Sequence, residues 1–118
     1  MSYEFYRIVH VFGVILLFTS LGTLTATAGA TDARLRRLAA AAHGIALTIL
    51  LVAGFGLLAR LGMFGAIPAW AFAKLAIWLL LALLVLPLRR RPEWAPWLWL
   101  AMPLAGGAAA WLAITKPF

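Results

Sequence analysis

The stretch Trp70-Ala71-Phe72-Ala73-Lys74-Leu75-Ala76-Ile77-Trp78-Leu79-Leu80-Leu81 decides how this chain is read. It contains no helix breaker, and Lys74 is its only charged residue. It sits within a longer apolar run, roughly 69–86. At about 1.5 Å rise per residue, such a run crosses a hydrocarbon core of about 30 Å as an α-helix. A lysine inside a membrane span costs about 3 kcal/mol on insertion scales. Lys74 therefore either leads its ammonium out to the interface along its stem or faces inward and serves a function.

Working outward, three further runs of similar character cover roughly 8–28, 38–58 and 97–114. Of the 118 residues, 66% are hydrophobic and 11% charged. Soluble domains are nearer half apolar and a quarter charged. A soluble core of this length cannot hide so much apolar surface, so lipid is the solvent. The sequence predicts an all-α integral membrane protein, a four-transmembrane-helix bundle in one domain spanning 1–118. Ala26-Thr27-Ala28 resembles a signal-peptide cleavage site. The leader before it carries one basic side chain, Arg7, offset by Glu4, and the apolar region is too long, so the first run is expected to remain a span.

The connections set the orientation. Thr31-Asp32-Ala33-Arg34-Leu35-Arg36-Arg37 is a short basic hairpin, with Thr31 or Asp32 able to cap the second helix. Arg60 to Pro68 joins the second and third spans, with Pro68 placed to open a helix. Arg89-Arg90-Arg91-Pro92-Glu93 joins the third and fourth. Leaving Lys74 aside, six arginines on the hairpin side face Arg7, Arg60 and Lys116 on the other. That asymmetry places the hairpins in the cytoplasm and both termini outside. The net charge of +7 is thus a topological signal, and its confinement to two short clusters argues against nucleic acid. Tyr3, Phe5, Tyr6, Trp70, Phe72, Trp111 and Phe118 fall near the outer interface, and Trp94, Trp97 and Trp99 near the inner one. Trp78 lies deeper and needs a partner for its indole N–H; packing is its expected role.

Small residues (Gly13, Ser20 and Gly22; Gly44, Gly54 and Gly56; Gly106 and Gly107) let helix backbones approach in lipid. The same positions suit a flat ligand or a dimer face. The chain has no cysteine, which excludes disulfides, thiolate catalysis and Cys-ligated metal. It also lacks a phosphate-binding loop, a nucleophile elbow and paired carboxylates.

Three ionisable side chains remain inside the spans: His10, His43 and Lys74. Counted from the span ends, His10 and Lys74 enter from the outer side and differ in depth by about 5 Å. They can share one outer-leaflet pocket, where a cation suits a carboxylate and an imidazole serves as ligand, acid or base. Glu4 and Arg60 can join from its rim. His43 enters from the other side, on the order of 15–20 Å deeper than His10. A single metal within one subunit cannot take both histidines. Each group also has an ordinary role: His10 bonded to water or a carbonyl, His43 held by a cap, a headgroup or a neighbouring helix.

Ile8-Val9-His10-Val11-Phe12-Gly13-Val14, Gly54-Phe55-Gly56-Leu57-Leu58, Trp70-Ala71-Phe72-Ala73-Lys74-Leu75 and the ending Lys116-Pro117-Phe118 together carry a resemblance. In order and spacing they resemble the HemJ-type protoporphyrinogen oxidases and their short four-span bacterial relatives. The resemblance implies haem b as cofactor and a bacterial cytoplasmic (inner) membrane. If the chain is an enzyme, it implies an oxidoreductase acting on a porphyrinogen. It makes His10 and Lys74 the catalytic and cofactor-binding candidates and His10 the metal ligand; outside the resemblance, His43 is a further cofactor-binding candidate. The chain departs from that family in its short first hairpin, in Leu86-Pro87-Leu88 at the end of the third span and in Met102-Pro103 in the fourth. Two other readings stand beside it. Short loops and abundant small residues fit a non-catalytic accessory subunit of a larger membrane complex, or a homo-oligomer. Lys74 and His10 also fit the polar lining of a small transporter.

Overall fold

A computed structural model describes residues 2–29, 33–63 and 65–116. In order they form α1 (Tyr3–Ala26), α2 (Ala33–Arg60), α3 (Ala69–Leu83), α4 (Val85–Arg90), a 3-10 turn (Pro92–Trp94) and α5 (Ala95–Thr115), with no strand among them. Helices α3 and α4 run on as one segment, Ala69–Arg90, so four segments are long and apolar enough to cross a membrane. The chain is an all-α four-helix bundle, a multi-pass membrane protein in character. Its longest dimension is 47 Å, matching a bilayer of about 40–45 Å with headgroups included.

Local chemistry fixes where the helices start and stop. Ser2 caps α1, its hydroxyl oxygen accepting from the Phe5 N–H at 3.1 Å, and Glu4 lies in the first turn. Both suit the positive end of a helix, so α1 begins well before the apolar run does. Helix α2 likewise begins at Ala33, which places Arg34, Arg36 and Arg37 on helix and not in a loop. The cap expected from Thr31 or Asp32 lies outside the described residues. Pro68, expected to open the third helix, precedes it as an extended residue with φ −70° and ψ 155°.

The third span breaks at Leu84. Pro87 has no N–H to offer the Leu83 carbonyl, and its ring crowds that oxygen. The chain resumes as α4, and Arg89 and Arg90, expected in the hairpin, occupy its last turn. Cations there complement the negative end of the helix. Arg91 leaves the helix, pairs with Glu93 at 4.0 Å and lies 5.6 Å over the Trp94 ring.

Close packing is concentrated between α1 and α2. A Cβ on Gly13 would lie 2.9 Å from Ile49 Cγ2 and 3.1 Å from Leu50 Cγ, and one on Gly56 would run into the Tyr6 ring. These contacts set an antiparallel register in which residue 13 is level with 49–50 and residue 6 with 56. Around the bundle, α1 meets α2 and α5, and α3 also meets α2 and α5, so α1 and α3 are diagonal partners across the axis. The core fills that axis with Leu17, Leu21 and Leu24 of α1, Ala39, Ala46 and Leu50 of α2, then Leu81, Leu84, Leu88 and Met102. The buried hydroxyls of Ser20 and Thr25 donate back to Leu17 and Leu21 carbonyls of their own helix, at 2.8 and 3.0 Å. Ile8, Ile15, Leu38, Val52, Leu104 and Ile114 are at least 60% exposed, as side chains solvated by lipid are.

Candidate functional site

The polar groups inside the bundle form two sets, one toward each end. Toward the end that carries the basic hairpins, His43 is 5% exposed in the core, and its Nε2–H donates to the Leu81 carbonyl at 3.3 Å. Leu81 lies in the last turn of α3, where carbonyls lose their own helical donors. One turn along α2, the relation reverses. The Trp78 indole N–H donates to the Leu47 carbonyl at 3.0 Å. Side chain to backbone and back again, the two bonds clasp α2 to α3. Trp78 thus has the partner its depth demanded, and His43 is held by a neighbouring helix.

The other set is built from α1 and α3. His10 lies in line with Gly13, Leu17, Leu21 and Leu24 on the inward face of α1. Its Nδ1 is buried without a hydrogen-bond partner, and no described residue bonds its other ring nitrogen. Lys74 stands four residues before Trp78 and seven before the buried Leu81, so its stem leaves α3 on the bundle side. It is half-buried, forms no ion pair with a described residue, and lies within electrostatic reach of His10 and of Lys116. Carrying the α1–α2 and α2–α3 registers through, Lys74 sits about 3 Å deeper than His10. His10 and Lys74 thus stand on the inward sides of two diagonally placed helices.

A rim closes over this pair. Tyr6 packs on Gly56, and the Lys116 ammonium lies 5.3 Å over the Trp70 ring. Lys116 holds that place from a left-handed backbone, φ 47° and ψ 61°, with its N–H bonded to the Leu112 carbonyl at the end of α5. Glu4 and Arg7 face away, lining a shallow outer hollow with Ile8 and Val11. A second hollow, at the opposite end, is lined by Arg34, Leu35, Arg37 and Leu38.

By the same register His10 and His43 are separated by about 14 Å in depth. One iron cannot take both within a subunit, and His43 sits with the core, apart from His10 and Lys74. Among the described residues no group of three His, Asp or Glu side chains could hold a metal ion. What the pair offers instead is one imidazole and one ammonium that no described residue bonds or pairs. Chemically, the imidazole offers a lone pair to a proton or a metal ion, and the ammonium suits an anionic group. Sequence reasoning missed the clasp and the rim role of Lys116; only the 74–78–81 spacing was there to be read for the facing of Lys74. Compared with known proteins, the chain matches no family model, no curated protein and no solved structure.

Proposed function

We propose that this chain is a protein of a bacterial cytoplasmic membrane, with both termini outside, that binds haem b or a porphyrin at the outer end of its bundle. The observation that carries this reading is the buried His10 Nδ1 beside Lys74, neither of them partnered by a described residue. A buried polar atom left unsatisfied costs about 1–3 kcal/mol, which a ligand recovers. Its neighbour Lys74 supports an anionic ligand, because a desolvated ammonium gains most from a carboxylate. In this reading His10 ligates the iron and Lys74 neutralises a propionate. Haem iron, when bound, supplies one-electron redox chemistry. The resemblance to HemJ-type proteins extends the proposal to porphyrinogen oxidation, with the same two residues at the reacting face.

The test is an absorption spectrum. Purified protein titrated with haem should develop a Soret band that saturates at one haem per chain. A protein that stays colourless with haem, and does not quench the fluorescence of added protoporphyrin, contradicts the proposal.

A second reading, a homo-oligomer or accessory subunit, draws on α5. A Cβ on Gly107 would meet nothing, and Leu104 and Trp111 beside it are 69% and 54% exposed, leaving a track on which another helix can lie. Native purification decides between a lone chain, a symmetric oligomer and a complex with other proteins.

A further inference from the structure

We infer that the start of α2 is a binding site for one anionic phospholipid, with Arg34 and Arg37 holding the phosphate and Leu35 and Leu38 receiving the first part of an acyl chain. This site lies at the end of the bundle opposite His10 and Lys74 and does not depend on the haem reading.

Two features of the side chains carry it. Arg34 and Arg37 are three residues apart on one helix, hence neighbours on its surface, and they line one hollow with Leu35 and Leu38. Neither arginine forms an ion pair or a hydrogen bond with a described residue. Two adjacent guanidiniums repel each other, and a phosphodiester oxygen pair is the anion their planar forks match.

Helix geometry identifies the source of that phosphate. The buried face of α2 runs through Ala39, His43, Ala46, Leu50 and Ala53. Arg34, Leu38, Ala41 and Ile45 form the stripe on the other side, at the i, i+4, i+7 and i+11 spacing of one helix face. All four are exposed, Leu38 by 68% and Ile45 by 56%. A free phosphate would use the arginines alone. A phospholipid uses the whole stripe, headgroup on Arg34 and Arg37 and chain down past Leu38 toward Ile45. The hairpin geometry adds local charge: Gly29 approaches Pro92, with 3.7 Å between a Cβ built on the glycine and the proline ring, so the two basic connections lie side by side. Arg89 and Arg90, at the end of α4, raise the potential there without lining the hollow.

The experiment titrates the full-length protein in detergent with phosphatidylglycerol and with phosphatidylcholine of identical chains, and counts bound lipid by native mass spectrometry. Wild type should prefer the anionic lipid by about thirtyfold, the order that two arginines near a surface contribute. The R34Q/R37Q double variant should lose that preference, whereas R89Q/R90Q should keep most of it. An R34K/R37K variant retains the charge but not the planar fork. It should fall between wild type and R34Q/R37Q, and it covers the case in which charge removal disturbs insertion. Millimolar inorganic phosphate should leave lipid binding unchanged. Equal binding of the two lipids by wild type overturns the inference, as does an unchanged preference in R34Q/R37Q. Equal loss in R89Q/R90Q, or displacement of the lipid by inorganic phosphate, overturns it as well.

Discussion

The two histidines of this chain sit in similar helices at opposite ends of one bundle and live under opposite conditions. His43 is in the core with a carbonyl partner supplied by the last turn of α3. His10 faces inward from α1 with a buried ring nitrogen that nothing in the described protein bonds. The difference follows from the third span. Near its inner end the third span breaks at Leu84, and the Leu81 carbonyl beside the break takes up a donor from α2. Toward the outer end α3 is intact, its carbonyls are engaged by its own N–H groups, and it presents Lys74. A satisfied histidine is a piece of architecture. An unsatisfied one beside an ammonium is an offer to a ligand.

That contrast can be broken by experiment. The largest effect is expected for His10→Ala, which should remove the wild-type Soret band position from haem-titrated protein while leaving the thermal unfolding of the haem-free protein nearly unchanged. His43→Ala should do the reverse. It strands the Leu81 carbonyl and opens a cavity, so denaturant unfolding in detergent should show a loss of about 1–3 kcal/mol, with the Soret band retained. Lys74→Gln removes the cation but keeps much of the stem. Haem affinity should fall about tenfold, or about 1.4 kcal/mol, with the band position unchanged, as a titration would read. The smallest effect is for Trp78→Phe, which keeps most of the ring and deletes the bond to Leu47; interhelical hydrogen bonds in membranes average about 0.6 kcal/mol, so the unfolding midpoint should move only slightly. Equal behaviour of the two histidine variants in both assays would erase the distinction between the two ends.

The spans were legible because composition alone forces them: no soluble core absorbs four apolar runs, and charge marks their ends. Helix limits were less so. Ser2 and Glu4 carry α1 outward to Tyr3, and Arg89 and Arg90 are helical because they complement the end of α4. Pro87 was in plain view, yet its break at Leu84 matters only because a histidine from another helix uses a carbonyl beside it. Such a bond depends on register, and register comes from contacts such as Gly13 on Ile49, which no single helix encodes. The facing of Lys74 was hard to read for another reason. Helix α3 is apolar all round, so no amphipathic stripe shows which side is inward; the structure supplies that through Trp78 and Leu81. Lys116 was visible as an outer-side charge and as the family-like ending of the chain, but its seat over Trp70 depends on α5 returning to the start of α3.

The most direct measurement of the central claim is imidazole rescue of His10→Gly. The claim predicts that the variant loaded with haem lacks the wild-type Soret and visible bands and regains them when free imidazole fills the vacated place, while His43→Gly shows the wild-type bands without addition. Wild-type bands in His10→Gly without imidazole would contradict it, as would their loss in His43→Gly with restoration by the same addition.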